Sequence, residues 1–125
     1  NVGANGQGFL ISTLTELTTV LAAATTDTVI TIPANALVYY VSVLVGTAIP
    51  TAATFTVTGT SSGTQFDVAG GIAVAAATSD VGTRNCPYKN GASQTIRITP
   101  NLVPGAATGT VRITMVYYQA IVPTS

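Results

Sequence analysis

Apolar and polar residues alternate with a period of two along most of this chain, which is the pattern of half-buried β-strands. β-branched Thr and Val supply much of the alternation, as is typical of strands. The segment 9–21 is ambiguous, because four of its leucines also fit helical spacing, but its threonines favour a strand at about 14–22. The clearest predicted strands cover residues 27–32, 37–47, 54–59, 95–99 and 110–121.

Weaker signals complete the pattern. Short strands are predicted at 65–68, where Phe66 and Val68 would point inward, and at 72–77, after a break at Gly70-Gly71. Residues 78–93 are predicted to be the longest irregular stretch, and residues 1–8, rich in Gly and Asn, to be a flexible lead-in.

Seven to eight short strands without a convincing helix predict an all-β fold. We expect one domain over residues 9–125, an antiparallel β-sandwich of jelly-roll-like form. A chain of 125 residues is long enough for one hydrophobic core but not for two. The strand at 37–47 carries Val41, Val43 and Val45 on one side and Leu44 on the other, so we expect it to be central and buried on both faces.

The phrase Ile-Arg-Ile-Thr at 96–99 returns as Val-Arg-Ile-Thr at 111–114. We interpret the two as the arms of one hairpin. Alternation then places Arg97 and Arg112 on the outer face, while the Ile and Val residues beside them point inward. Three interpretations are open: the arginines protect a sheet edge, they meet another subunit, or they contact a ligand such as a sugar.

An interface would also account for two apolar neighbours of Arg112. Val116 and Tyr118 lie on the same outward side of the last strand, where solvent exposure alone would not favour them. Arginine suits interfaces because it is weakly hydrated and binds carboxylates through two bonds. The predicted subunit interface therefore consists of Arg97, Arg112, Val116 and Tyr118.

Composition supports association between chains. Hydrophobic residues make up 47% of the sequence, charged residues only 6%, and the net charge is zero. Typical soluble domains are about 25% charged, and solubility normally requires a net charge away from zero. A surface without a basic patch does not favour nucleic acid. No stretch of about 18 residues is free of polar groups, so membrane insertion is not expected either.

Candidate chemistry is scarce, and we expect no enzymatic activity, no cofactor and no metal. Without histidine the usual general base near neutral pH is missing. The single cysteine, Cys86, has no histidine to activate it. Four acidic residues give a poor chance of a glycosidase-type carboxylate pair. A loop on a stiff sandwich commonly carries binding, so Tyr88, Lys89 and Asn90 are the candidate ligand-binding residues.

Three segments in order carry a resemblance to a known family: "TTDTVITIPANALVYYVSVLV" at 25–45, "FTVTG" at 55–59, and "QTIRITPNLVPGAATGTVRITMVYY" at 94–118. Together they resemble the C-terminal domains of tail-fibre and tail proteins of tailed bacteriophages. The resemblance implies a β-sandwich tip module, usually trimeric, attached to a longer virion protein. It assigns no binding residues.

The expected function is therefore that of a non-enzymatic virion module on the phage tail or capsid surface. The first hypothesis is a homotrimeric tail-fibre or tail-spike head that contacts other virion proteins and binds a host cell-surface polysaccharide. Several weak sites on one trimer would gain affinity without new contacts. The alternative is a capsid decoration, or cement, protein that stabilises the phage head.

Overall fold

The computed structural model describes residues 8–121, which form β-strands and turns with no helix. The predicted lead-in therefore lies outside the described residues except for Gly8, where the first strand begins. No segment of the described chain is a helix with the length and apolarity of a membrane span. The nine strands are β1 (Gly8–Thr19), β2 (Thr26–Ile32), β3 (Leu37–Thr47), β4 (Thr54–Gly59), β5 (Ile72–Ala73), β6 (Ser79–Asp80), β7 (Tyr88–Lys89), β8 (Gln94–Pro100) and β9 (Thr110–Ile121).

The strands form two antiparallel sheets. Sheet 1 has the order β1-β9-β3-β6, with β7 also paired to β3, and sheet 2 has the order β2-β8-β4-β5. Most successive strands lie in opposite sheets, so the chain winds around the core, with β1 beside β9 and β2 beside β8. This winding is that of a jelly roll, and the predicted all-β sandwich is confirmed.

The core lies between the sheets and is built by the alternation seen in the sequence. Strand β2 alternates strictly between buried and exposed positions, and β4 and β8 alternate between buried and half-buried ones. Each sheet therefore turns one set of apolar side chains inward. The largest fully buried side chains include Phe55, Phe66, Ile32, Ile96, Ile98, Ile113 and Met115.

Strand bounds agree with the sequence pattern at 37–47, 54–59 and 110–121, and β1 departs from it. The predicted strand at 14–22 was placed too late, because β1 runs from Gly8 to Thr19. Strand β1 pairs with β9 along its whole length without a register shift. The length of β1 thus follows its partner, which a local pattern does not reveal.

The strand predicted at 65–68 is wrong. Gln65 forms only an isolated bridge with Thr58, and Val68 is exposed. Asp67 is fully buried, and its Oδ1 accepts a hydrogen bond from the Val57 N–H at 2.8 Å. A side chain thus satisfies a backbone group of β4 that another strand would otherwise bond, and the chain turns away. The predicted inward position of Phe66 is confirmed.

The predicted strand at 72–77 is shorter than expected, and the irregular stretch after it contains two short strands. Strand β5 ends at Ala73, and Ala77 adopts a left-handed φ of 67°. Strands β6 and β7 then pair with β3 through two residues each. The break at Gly70-Gly71 is confirmed as a turn in which both glycines have φ of 88°.

Strand β3 is central in sheet 1, but it is not buried on both faces as predicted. Val41, Val43 and Val45 are buried, whereas Leu44 on the opposite side is 44% exposed. Sheet 2 covers only the inner face of sheet 1, so no layer formed by residues 8–121 lies over the outer face. The apolar pattern on that face therefore needs another explanation.

The two arginine phrases do not form a hairpin. Strand β8 pairs with β2 and β4 in sheet 2, and β9 pairs with β1 and β3 in sheet 1. The link at 101–109 crosses from one sheet to the other, and it is anchored by Asn101, whose Oδ1 accepts hydrogen bonds from the N–H groups of Ala53 and Thr54. The predicted inward and outward alternation within each strand is confirmed, but the two arginines lie on opposite faces of the sandwich.

Candidate interaction surfaces

The outward side of sheet 1 is a broad face of mixed apolar and hydroxyl side chains, called the outer face below. Its members are defined by the strand register, in which Leu17 and Leu44 flank Arg112 on either side. The outer face consists of Ile11, Thr13, Thr15 and Leu17 of β1, Arg112, Thr114, Val116 and Tyr118 of β9, and Tyr40, Ser42 and Leu44 of β3.

This face is unusual for the surface of a lone chain. Ile11 and Leu17 are 56% and 55% exposed, and Leu44 is 44% exposed. Arg112 is the one charged residue of the set. Several exposed apolar side chains grouped on one face with a single charge are suited to contact with another molecule.

A shallow groove of about 800 Å³ runs along the part of the outer face where β3 meets β6. Tyr40, Leu44 and Arg112 line it from β3 and β9, and Asp80 of β6 and the following Val81 line it from the other side. Val81 is 67% exposed. The groove therefore combines apolar walls with one cationic and one anionic side chain.

Three of the four predicted interface residues come together on the outer face: Arg112, Val116 and Tyr118. Arg97 lies apart from them, on the outward side of sheet 2, directly opposite Asp27 in the β2–β8 ladder. Its Nε and Nη2 donate to the two Asp27 carboxylate oxygens at 2.6 and 2.9 Å. These hydrogen bonds and the positive charge of Arg97 lower the pKa of Asp27 below its usual range. Arg97 thus has its carboxylate partner within its own chain.

The candidate ligand-binding residues lie on β7 and just after it, and they differ in what they offer. Lys89 is exposed, whereas the Tyr88 ring packs edge-on against Phe66 with ring centroids 5.7 Å apart. Asn90 is buried, and its Nδ2 donates to the carbonyl oxygens of Ile32 and Pro33 at 3.1 and 2.8 Å. The Asn90 side chain therefore fastens the loop to the end of β2.

A small depression of about 260 Å³ adjoins Tyr88 and is lined by polar groups of Ser61, Ser62 and Gln94. The Gln94 Nε2 donates to the Asn90 Oδ1 at 2.7 Å, and its Oε1 accepts from the backbone N–H of Ser62 at 3.0 Å. Hydrogen bonding by Ser62 lowers the pKa of the Tyr88 phenol. The buried amides of Gln94 and Asn90 are thus occupied by bonds within the protein, and the exposed Ser61 and Ser62 line the depression beside Tyr88.

Sequence reasoning missed Gln94, although a signal was present. Gln94 occupies the first inward position of β8, ahead of Ile96 and Ile98, so the alternation places a polar group where the core is otherwise apolar. A buried amide needs hydrogen-bond partners. The Ser61-Ser62 turn supplies several of them from 32 or 33 residues away, a pairing that only the fold reveals.

The single cysteine and the buried Asp67 are both enclosed by neighbouring groups of the fold. Burial raises the pKa of the Cys86 thiol, which favours the protonated form rather than the nucleophilic thiolate. The described residues contain no group of three or more His, Cys, Asp or Glu side chains arranged to hold a metal ion. The buried Asp67 accepts hydrogen bonds from the Val57 N–H and from the Gln65 amide.

No protein-family model matches the chain, and no curated protein matches it. Among solved structures, the chain is similar to a chain of the cyanophage Pam1 capsid asymmetric unit, with a TM-score of 0.55 and 19% sequence identity. The similarity covers 94% of this chain and 89% of the other. At this identity the likeness concerns the fold, and it extends over nearly the whole of both chains.

Proposed function

We propose that this protein is a non-enzymatic structural component of a bacteriophage particle that acts by association through its sheet surfaces. The observation that carries the proposal is the fold likeness, over nearly the whole length of both chains, to a component of a phage capsid asymmetric unit. The exposed apolar outer face supports the same role, because it is suited to being covered by another protein. Location on the virion, on the phage tail or the capsid surface, is part of this proposal.

One specific form of this role is a homotrimeric tail-fibre or tail-spike head that binds host glycan. The sequence resemblance at 25–45, 55–59 and 94–118 supports it. The depression beside Tyr88 also supports it, because aromatic faces stack on sugars and hydroxyl groups such as those of the exposed Ser61 and Ser62 bond to sugar hydroxyls. Trimerisation would strengthen weak glycan contacts by linking three sites.

The second specific form is a capsid decoration protein. The observation that favours it is that the structural neighbour belongs to a capsid asymmetric unit. A decoration protein needs broad contact surfaces rather than a deep pocket, and the outer face is of that kind. The low charge also suits a protein that stays bound to other chains.

Fractionation of virions separates these roles. Phage particles purified from the host in which this chain is produced would be disrupted, and tails and tail-free heads would be purified on a density gradient and probed with an antibody to the chain. Chain in the tail fraction, together with retention of the purified chain on host envelope polysaccharide, supports the fibre head. Chain in the head fraction, with binding to empty capsids and not to polysaccharide, supports decoration. A chain absent from both fractions contradicts the virion proposal.

A further inference from the structure

Strand β1 ends sheet 1, and its outer edge lacks the usual protection against strand addition. No strand pairs with that edge among residues 8–121. An edge strand points every second N–H and C=O away from its sheet, and proteins normally block such groups with Lys, Pro, a bulge or a covering loop. Strand β1 is twelve residues long, contains no Lys, Arg or Pro, and keeps regular register with β9 throughout. Its one charged residue, Glu16, lies on the inward side and bonds to β2 instead of covering the edge.

At the neighbouring edge of sheet 2, which β2 forms, a side chain satisfies one of the outward backbone groups. The Glu16 carboxylate Oε2 accepts a hydrogen bond from the N–H of Val29 in β2 at 3.0 Å. One outward N–H of β2 is thus satisfied by a side chain of β1, while β1 receives nothing comparable on its own edge among the described residues. The Val29 side chain is 81% exposed, so it does not cover β1.

The sequence of β1 is nearly symmetric about Leu14. Residues 11–17 read Ile-Ser-Thr-Leu-Thr-Glu-Leu, so an antiparallel partner of the same sequence centred on Leu14 would place Ile11 opposite Leu17. The same register places Thr13 opposite Thr15, and Leu14 opposite itself. Apolar pairs and Thr–Thr pairs are favourable cross-strand neighbours.

The two faces of such a pairing are chemically consistent. Ile11 and Leu17, both more than half exposed in the single chain, would cover each other on the outer face. On the inner side Leu14, which is 37% exposed, would meet its own copy, and Ser12 would lie opposite Glu16. The Glu16 Oε1 has no partner among the described residues and can accept a hydrogen bond from the Ser12 hydroxyl.

We infer that β1 is a self-docking edge, at which two copies of this chain join sheet 1 to sheet 1 by antiparallel pairing centred on Leu14. The contact is isologous, because the same edge serves both partners. It covers Ile11 and Leu17 at the margin of the outer face and leaves the rest of that face open, so it can add to an assembly formed through that face. It does not depend on which virion role is correct.

Cysteine cross-linking of the full chain tests this register. In a Cys86→Ser background, Leu14→Cys places two thiols directly opposite each other, within the Cα separation of about 4.4–6.8 Å that a disulfide requires. Mild oxidation of the purified protein should convert most of Leu14→Cys into covalent dimer. The yield on a non-reducing gel should be at least about tenfold above that of the control, since the control thiols lie outside that range.

The matched control is Leu17→Cys in the same background. Leu17 lies on the same strand and is more exposed, but in the proposed register it faces Ile11. The two thiols introduced at position 17 would then be six residues apart along the strand, or about 20 Å. Equal cross-linking of both variants, or no cross-linking of Leu14→Cys, would overturn the inference.

Charge exchange provides a second measurement in reducing buffer. Leu14→Lys and Leu14→Glu should each weaken this contact, because position 14 meets its own copy and like charges repel across strands. An equimolar mixture of the two variants should restore it as a heterodimer in native mass spectra. Failure of the mixture to form heterodimers, with both variants folded by circular dichroism, would contradict pairing at Leu14. Heterodimers would likewise be absent if a molecule other than a second copy of the chain binds the β1 edge.

Discussion

At the scale of single residues, the Asp27–Arg97 pair shows how this chain uses its few charges. The two side chains are 47% and 36% exposed and lie directly opposite each other on adjacent strands. Two parallel hydrogen bonds from a guanidinium to a carboxylate fix geometry as well as charge. Arg97 thus ties the edge strand β2 to β8 in the part of the ladder where the register shifts beyond Asp27.

Removing this pair should change stability in a pH-dependent way. The pKa of native Asp27 is lowered, so the unfolded chain takes up this proton first as pH falls. The stabilisation is fully present above the usual aspartate pKa of about 3.9 and is lost as pH falls below it. Asp27→Asn should therefore have a lower urea midpoint of unfolding than the parent at pH 7, and the difference between the two midpoints should decrease in acid. Arg97→Gln should show the same profile.

Arg112→Gln serves as the control, because no ion pair of Arg112 occurs among the described residues. Its urea midpoint should differ little from that of the parent, and any difference should not narrow between neutral and acidic pH. A difference for Asp27→Asn that stays constant down to about pH 2 would contradict the assigned role of the carboxylate.

Alternation in the sequence correctly predicted which side chains point inward. It did not predict hydrogen-bond or strand partners that are distant in the sequence. Phe66 was placed inward correctly, but the strand around it was not, because a buried hydrogen bond from the Val57 N–H to Asp67 replaces strand pairing. Arg97 was grouped with Arg112 from their matching phrases, and the sheet crossing at 101–109 separates them. The alternation reports which way a side chain points and does not report which sheet it belongs to.

At the scale of elements, Gly82 shows a constraint imposed on β3 by the segment after β6. Gly82 has φ of 73° and is buried, and a Cβ at this position would collide with the backbone carbonyl of Val41. The Gly82 carbonyl in turn accepts a hydrogen bond from the Val41 N–H at 3.0 Å. The segment thus lies against the central strand at a separation that no other residue permits.

Gly82→Ala should therefore destabilise the protein more than the backbone conformation alone accounts for. A left-handed conformation costs a non-glycine residue about 1–2 kcal/mol, and displacement of the Val41 carbonyl adds to it. Gly63→Ala is the matched control, because Gly63 has φ of 67° but open space around it. Urea unfolding of the two variants measures the difference, and equal losses would show that the close approach does not matter.

Strand β3 allows a test of its two faces with adjacent residues. Val43→Asp puts a carboxylate among the core side chains, since Val43 is only 3% exposed, and an unpaired buried charge should prevent folding. Leu44→Asp changes the next residue, which lies on the outer face beside Arg112. It should remain folded, with stability within about 0.5 kcal/mol of the parent. Circular dichroism and solubility distinguish the two, and a folded Val43→Asp would overturn the packing described here.

At the scale of the whole molecule, the sequence predicted the sandwich and most strand bounds, because these follow from alternation. The need for a partner surface, inferred from composition, stays a prediction. The sequence did not predict that β3 is covered on one face only. Alternating Val and Leu on a central strand have the same pattern whether the second layer belongs to the same chain or to another one. A second chain lying on the exposed outer face would explain both the low charge of the sequence and the apolar pattern of β3.

Arg112→Glu tests whether another copy of the chain covers the outer face. In the single chain Arg112 is exposed, so the folded monomer should change by less than about 0.5 kcal/mol. If the outer face joins copies, as the predicted homotrimer requires, the reversed charge in a covered face should weaken association by several kcal/mol. Native mass and light scattering at micromolar concentration should then show smaller particles for the variant than for the parent.

Arg84→Glu is the matched control for this charge reversal. Arg84 is exposed as well, but it lies outside the outer face, in a depression that it lines with Val68, Thr83 and Asp80. The same change in net charge should leave the mass of the assembly unaltered. If both variants dissociate alike, general repulsion rather than the outer face governs association. A parent protein that is monomeric at these concentrations would exclude self-association as the reason for the apolar face, and a different virion protein would have to cover it.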